Sequence, residues 1–101
     1  MPRPIHYPVA ERDIRSHLKR RLQVLGGEIR KLGWVARRGA PDELVLLPHH
    51  GRYFIAELKR PGGKPDRHQQ REIDLMRRCG IRVEVLSTYD EVDAALFWDL
   101  I

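Results

Sequence analysis

The chain has 101 residues, 42% of them apolar and 33% charged, which is enough to fold as one domain around its own core. Its single cysteine, Cys79, excludes an internal disulfide, and no apolar run approaches the ~18 residues of a membrane span. The N-terminus also lacks the apolar segment of a secretory signal. We therefore expect one domain over residues 1–101, in the cytoplasm.

The charge is distributed unevenly along the chain. The formal net charge is +5 and the sequence pI is about 9.9. Residues 1–39 hold ten basic and three acidic residues, whereas residues 40–101 hold nine basic and eleven acidic ones. A basic half beside an acidic tail favours a polyanionic partner such as nucleic acid, although a merely solubilising surface would have a similar composition.

Helical and extended patterns follow one another in the order α-β-β-β-α-β-α. Apolar residues at helical spacing predict a first helix over residues 9–25, with Pro8 in its first turn and Gly26-Gly27 at its end. Shorter apolar or alternating runs predict strands at 28–35, 43–47, 52–59 and 81–86. A helix from Asp66 to Cys79 and a short helix from the Thr88 capping box to about residue 98 complete the series.

The hairpin formed by the second and third strands carries charges at its open end. With the turn centred between His49 and His50, Leu47 faces Arg52 and Asp42 faces Glu57. Two carboxylates in directly opposed positions repel each other, so a cation between them would stabilise the pair. The side-chain period of two places Lys59 on the same face as Glu57.

Two carboxylates and a nearby backbone carbonyl form a set of hard oxygen donors. Asp42, Glu57 and the carbonyl of Leu58 would suit Mg²⁺ or Mn²⁺, with water in the remaining positions. Such an ion activates water and polarises a phosphoryl oxygen, and Lys59 could stabilise the reacting groups. The alternative is an ordinary exposed ion pair at the ragged end of a strand.

Two helical residues are further candidates for the same site. Glu11 extends the apolar stripe of the first helix and could supply another carboxylate, or it could be a solvated residue favoured by the helix dipole. Gln69 is in phase with Ile73 and could bond a water or a phosphate, but Asp66 and Gln69 also have the spacing of a capping box.

Three basic residues in loops could contact phosphates. Arg37 and Arg38 precede the Gly39 turn, and Lys64 follows Gly62-Gly63, where the absence of side chains would let a phosphate approach the backbone. Contacts of this kind position a nucleic acid without reading its bases. A flexible, solvated basic loop is the alternative.

These residues together carry a family resemblance that covers about residues 9–96. The chain closely resembles the VRR-NUC domain of the PD-(D/E)XK nuclease superfamily, through Glu11, Gly26-Gly27-Glu28, Arg37-Arg38-Gly39-Ala40-Pro41-Asp42, Glu57-Leu58-Lys59, Pro61-Gly62-Gly63-Lys64, Gln69 and Glu72-Ile73. Similar sequences have a serine where this chain has Asp66. An aspartate can cap a helix as serine does, so we expect the helix to be kept.

The resemblance implies an α/β fold of restriction-endonuclease type, a mixed central sheet flanked by helices. It implies Mg²⁺- or Mn²⁺-dependent endonucleolytic cleavage of DNA by a homodimer that resembles phage-type junction-resolving enzymes. Glu11, Asp42 and Glu57 would then be metal-shell carboxylates, Lys59 the catalytic lysine and Gln69 the motif glutamine. A nuclease for flaps, nicks or RNA, a non-catalytic DNA-binding subunit and an interaction module without a nucleic-acid role remain the alternatives.

Overall fold

Helices and strands occur in the predicted order in the computed structural model, which describes residues 8–34 and 39–97. The elements are α1 (Glu11–Leu25), β1 (Glu28–Lys31), β2 (Glu43–Leu47), a 3₁₀ turn (Pro48–His50), β3 (Arg52–Leu58), α2 (Arg67–Arg78), β4 (Val83–Leu86) and α3 (Tyr89–Phe97). In these two segments no helix is long and apolar enough to cross a bilayer.

Several element ends differ from the sequence prediction. α1 begins at Glu11, so Pro8 lies ahead of the helix and not in its first turn. Its start is fixed by the Asp13 carboxylate, which accepts the backbone N–H of Ala10 at 2.8 Å. β1 stops at Lys31, β3 stops one residue before Lys59, and β4 begins at Val83 and not at residue 81. Strand ends depend on the neighbouring strand, which local sequence patterns do not contain.

The four strands form one mixed sheet in the order β1-β2-β3-β4. β1, β2 and β3 are antiparallel, and the hairpin register runs from Leu47 opposite Arg52 to Glu43 opposite Ala56, as predicted. β4 pairs parallel to β3, with α2 as the crossover that a parallel connection requires. β3 is therefore an interior strand, paired on both of its edges.

Helices cover both faces of the sheet. α1 and α3 pack on one face around a cluster that includes Ile14, Leu18, Leu22, Phe54 and Leu96. α2 packs on the other face, where Ile73 and Met76 meet Ile55 and Val83. Because side chains alternate along β3, Glu57 and Lys59 lie on the α2 side, in phase with Ile55. The fold thus directs the two charged residues of β3 toward the beginning of α2.

Candidate active site

The end of β3 brings Glu57 and Lys59 together. Glu57 is only 8% exposed, and its Oε1 lies 3.4 Å from Nζ of Lys59. The two side chains therefore share a face, as the strand period predicted. A carboxylate this far from water needs a compensating partner, and the lysine supplies one.

The first turn of α2 adds Gln69 to this pair. Lys59 Nζ donates to Gln69 Oε1 at 2.7 Å, and Gln69 Nε2 donates to Glu57 Oε1 at 3.0 Å. Asp66 caps the helix, since its Oδ1 accepts the Gln69 N–H at 2.9 Å and Gln69 Oε1 accepts the Asp66 N–H at 2.9 Å. The capping interpretation of Gln69 is thus confirmed, and the same amide side chain also contacts Lys59 and Glu57.

The turn before β2 places Asp42 near this cluster. Asp42 directly precedes β2, and the register continued by one pair sets it opposite Glu57. Its Oδ2 lies 3.1 Å from Nζ of Lys31, the last residue of β1. Trp34 secures the turn, because its Nε1–H donates to the carbonyl of Pro41 at 2.8 Å. In this conformation Asp42 pairs with a lysine that the sequence analysis did not consider.

Glu43 is a second buried carboxylate, and the sequence analysis missed it. It is 5% exposed on the α1 side of the sheet, with its Oε1 2.8 Å from Arg15 and 3.7 Å from Lys31. The signal was present in the pattern, because Glu43 is in phase with the buried Val45 and Leu47. A charged residue on an apolar stripe predicts a buried ion pair.

Glu11 lies at the beginning of α1, beside the same end of the sheet. Its side chain is 48% exposed, and its Oε2 is 3.9 Å from Arg15, one helical turn further on. An exposed pair at this distance contributes little to stability. The structure therefore leaves Glu11 accessible at the margin of the site and does not bury it among the other carboxylates.

The carboxylates of this region influence one another. Burial raises the pKa of Glu57, the neighbouring Lys59 opposes that rise, and repulsion from Asp42 and Glu11 adds to it. Asp42 and Glu11 are thus close enough to Glu57 for their charges to disfavour its ionised form. A bound cation would reverse that effect.

The chemistry of the donors fits a hard divalent ion. Carboxylate oxygens of Asp42 and Glu57 and the carbonyl of Leu58 are ligands that Mg²⁺ and Mn²⁺ prefer, and the mutual repulsion at Glu57 is what a dication relieves. Within residues 8–34 and 39–97, however, no three acidic, histidine or cysteine side chains are gathered closely enough to hold a metal ion. The donor set that fits is therefore two carboxylates and a backbone carbonyl, with Glu11 outside it.

The candidate phosphate contacts are only partly within the described chain. Lys64 is exposed in the loop between β3 and α2, where Gly62 adopts a positive φ of 80°. Arg37 and Arg38 lie outside the described residues. Gly39, which follows them, packs against α2: a Cβ there would lie 3.1 Å from the Gln69 backbone nitrogen.

Comparison with known proteins identifies the class to which this fold and site belong. The sequence model of the VRR-NUC domain family matches residues 8–89. A solved structure described as "VRR_NUC domain" aligns with a TM-score of 0.75 and 39% identity, covering 85% of this chain and 92% of that one. The chain therefore belongs to the VRR-NUC domain family, which is a family of nucleases, and its mixed sheet and flanking helices confirm the predicted fold class.

The chain is also similar to a phage protein. The chain is 38% identical over 82 residues to "Putative nuclease p44" of Acyrthosiphon pisum secondary endosymbiont phage 1. The aligned residues are 81% of this chain and 87% of that protein. The similarity thus covers more than four-fifths of each protein.

Proposed function

We propose that the protein is a Mg²⁺- or Mn²⁺-dependent endonuclease that hydrolyses phosphodiester bonds in DNA. The observation that carries this proposal is the joined set of Glu57, Lys59 and Gln69 at the end of an interior strand. A buried carboxylate, an ammonium group and an oriented amide in one place are what phosphoryl chemistry beside a cation requires. Membership of a nuclease family supports the same reaction.

Asp42 and Glu57 would hold the cation with their carboxylates, and Glu11 would support the shell from its margin. Backbone geometry supports the carbonyl of Leu58 as a further ligand. The Lys59 N–H donates to the Leu86 carbonyl of β4 at 3.0 Å, so the preceding carbonyl, of Leu58, faces β2. The hairpin register, continued to that level, places Pro41 opposite Leu58, and proline has no N–H to donate. The ladder supplies no donor for this carbonyl, which favours its use by a cation.

When bound, the divalent ion supplies an acidified water and polarises the phosphoryl group. Lys59 would donate a hydrogen bond to the attacking oxygen or to a non-bridging phosphate oxygen, where negative charge develops. Its side chain is 20% exposed, so substrate can reach it. Gln69 would orient the ammonium group by accepting a hydrogen bond from it and would hold Glu57 in place by donating one to its carboxylate.

Basic residues beside the site would position the DNA backbone. Lys64 is exposed on the loop that joins β3 to α2, and Arg37 and Arg38 precede Gly39, which touches Gln69. Contacts to phosphate from these three residues would set the register of the duplex without selecting a sequence. The basic half of the chain supplies the wider field that attracts it.

We further propose that the substrate is branched DNA, such as a four-way junction, and that the enzyme is a homodimer acting in the cytoplasm of a bacterial host. The similarity to a phage protein supports the host, and two-fold symmetry would present two sites to two strands. An apolar groove of about 280 Å³ on the α2 side is suited to a second copy; its lining includes Trp34, Leu75, Met76 and Ile81. Flaps and nicks are the alternative substrates, since the proposed site cuts one strand at a time.

Cleavage assays on a panel of DNA structures test the proposed activity. Four-way junction, flap, nicked duplex, plain duplex and single-stranded DNA are incubated with Mg²⁺, with Mn²⁺ or with EDTA. We expect cleavage of the junction, dependence on either metal and no cleavage by Asp42→Ala, with DNA binding retained. Binding without cleavage by the wild-type protein in every condition would instead support the non-catalytic DNA-binding subunit.

Sedimentation of paired variants tests the homodimer. Leu75 is 42% exposed in the groove, and Val24 is 80% exposed on α1, on the opposite face of the sheet. We expect Leu75→Asp to convert a dimer to a monomer and Val24→Asp to leave the dimer intact. A wild-type protein that sediments as a monomer at all concentrations would refute this part of the proposal.

A further inference from the structure

Lys31 lies between two carboxylates that belong to opposite faces of the sheet. Its Nζ is 3.1 Å from Oδ2 of Asp42 and 3.7 Å from Oε1 of Glu43, and its side chain is 68% exposed. Lys31 is directly opposite Glu43 in the β1–β2 register, so this proximity is built into the strand pairing. One exposed ammonium group thus compensates a carboxylate of the proposed cation site and a carboxylate outside it.

Glu43 is held in place independently of Lys31. Its Oε1 accepts from Arg15 of α1 at 2.8 Å, and its side chain is only 6% exposed. A buried carboxylate with one firm partner remains an attractive site for a second cation at its rim. Glu43 therefore offers Lys31 a fixed second position within ion-pair distance.

We propose that Lys31 is a displaceable counter-ion of Asp42: it neutralises that carboxylate while no divalent cation is bound, and it remains with Glu43 when a cation takes its place. In this role Lys31 and Glu43 are positioning residues and not catalytic ones. The inference rests on the proposed function, because it takes Asp42 to be a cation ligand.

The physical reason is competition between two cations for one carboxylate. A divalent ion at Asp42 repels an ammonium group 3.1 Å from the same oxygen pair, so Lys31 must move when the ion binds. An ammonium group is charged at neutral pH, so Lys31 competes with a divalent ion for Asp42 under those conditions. Because the side chain is exposed and Glu43 is already within reach, the movement needs no rearrangement of the backbone.

A double-mutant cycle on Mn²⁺ affinity tests the inference without any cleavage reaction. Mn²⁺ binding to the full chain is measured by calorimetry in the absence of DNA for wild type, Lys31→Gln, Glu43→Gln and the double variant. We expect Lys31→Gln to bind Mn²⁺ about two- to five-fold more tightly, the range set by exposed ion pairs, and Glu43→Gln to bind it more weakly. In the Lys31→Gln background, the Glu43 substitution should change Mn²⁺ affinity little further, because no displaced lysine remains for Glu43 to pair with.

The double-mutant cycle distinguishes direct coupling between Lys31 and Glu43 from independent long-range effects of their charges on Mn²⁺ affinity. If the two residues acted only through their distant charges, the two changes in affinity would add. Additivity, or a Lys31→Gln variant that binds Mn²⁺ no more tightly than wild type, would overturn the proposal. Lys19→Gln removes a lysine from an exposed position on α1, and Glu84→Gln removes a glutamate paired with Arg82 at 3.1 Å on β4; both should leave Mn²⁺ affinity unchanged.

Two further measurements keep the outcomes distinct. Circular dichroism establishes which variants are folded, and if Glu43→Gln is not, Lys31→Gln compared with Lys31→Arg still decides the matter, since arginine keeps the competing charge. Asp42→Ala reports on the proposed function itself. Loss of Mn²⁺ binding in Asp42→Ala together with no gain in Lys31→Gln would refute the counter-ion alone, whereas undiminished binding in Asp42→Ala would refute the cation site.

Discussion

Lys59 owes its orientation to a side chain that is itself fixed by a helix cap. Gln69 Oε1 accepts both from Lys59 Nζ and from the backbone N–H of Asp66. The amide therefore cannot rotate without giving up a capping bond, and this restricts the ammonium group to the side of Glu57. Ordering of this kind lowers the entropic cost of placing a charged group against a reacting phosphate.

Removal of the Lys59 ammonium group should affect the reaction more than binding. We expect Lys59→Ala to lower the single-turnover cleavage rate by about 10²–10³-fold, the usual effect of losing one group that stabilises developing charge. DNA affinity should change little. Lys64→Ala is the matched control, since it removes a lysine from an exposed loop, and it should reduce DNA affinity with the rate at saturation retained. Equal cleavage by wild type and Lys59→Ala would refute the role given to this lysine.

We expect the ionised form of Glu57 to lower the free energy of unfolding. Burial raises its pKa above the ordinary value of 4.5, so the folded state binds a proton more readily than the unfolded state does. As the pH rises through the interval between 4.5 and the higher folded pKa, ionisation of Glu57 therefore lowers the free energy of unfolding.

Glu57→Gln removes that ionisable group and keeps the size of the side chain. In EDTA we expect the variant to have a higher free energy of unfolding than wild type at neutral pH, with the difference shrinking below pH 4.5, where both side chains are neutral. Mn²⁺ binding and cleavage should be lost. Denaturant titrations at the two pH values measure the difference, and a variant that is less stable than wild type at neutral pH would contradict it.

At the scale of elements, short-range sequence signals predicted the hairpin register and the start of α2 but not the ends of the strands. The turn at Pro48–His50 and Gly51 fixed the hairpin register, and the Asp66–Gln69 spacing fixed the start of α2. Both depend on residues close together in the chain, so the sequence contained them. The limits of β1 and β4 depend instead on the strands beside them, and the burial of Glu43 depends on Arg15 and Lys31 arriving from other elements. Neither the strand limits nor the burial of Glu43 could be derived from the sequence without knowing how the elements pack.

The contact between the Gly39 turn and α2 couples a loop to the site. Gly39 and Gly62 have nearly equal positive φ values, 81° and 80°, but a Cβ at Gly39 would lie 3.1 Å from the Gln69 backbone nitrogen and 3.3 Å from its Cγ, whereas nothing lies within 4 Å at Gly62. Alanine at either position carries the same backbone strain. Only the substitution at Gly39 presses on Gln69.

Gly39→Ala and Gly62→Ala therefore form a matched pair. We expect both to lower the melting temperature, since alanine is strained at these φ values, and only Gly39→Ala to lower the cleavage rate of the folded enzyme, because displaced Gln69 no longer orients Lys59. Melting curves and single-turnover rates on the two variants measure these effects. Equal losses of rate in both would show that the turn does not act through Gln69.

At the scale of the whole molecule, the site is assembled from distant parts of the chain. Glu11 comes from the first helix, Asp42 from the turn before β2, Glu57 from β3 and Gln69 from the helix on the opposite face. All four were predicted from the motif residues in the sequence, and their role in a site stays a prediction. Their arrangement in space could be predicted only in part, because packing on the sheet decides which face each helix covers. Lys31, which contacts Asp42, belongs to no motif that sequence inspection could have found.

The uneven charge of the chain predicts a salt-dependent interaction with DNA. In EDTA, where no cleavage occurs, we expect the logarithm of the affinity to fall linearly with the logarithm of the salt concentration. Arg37→Gln, Arg38→Gln and Lys64→Gln should each reduce that slope by about 0.9 if each residue neutralises one phosphate. Lys19→Gln serves as the control on α1. An affinity that does not respond to salt would favour an interaction module without a nucleic-acid role.

The interior position of β3 has a consequence for control of the enzyme. The strand that carries Glu57 and Leu58 is hydrogen-bonded on both edges and covered by helices on both faces. Its amides should exchange with solvent only when the entire domain opens, far more slowly than those of loops or termini. Fraying of a peripheral segment therefore should not displace Glu57 and Leu58 while the rest of the domain stays folded. If Glu57 and Leu58 hold the proposed ion, we expect restraint of the enzyme to act through the supply of that ion or through the other parts of the proposed site, and not through local opening of β3.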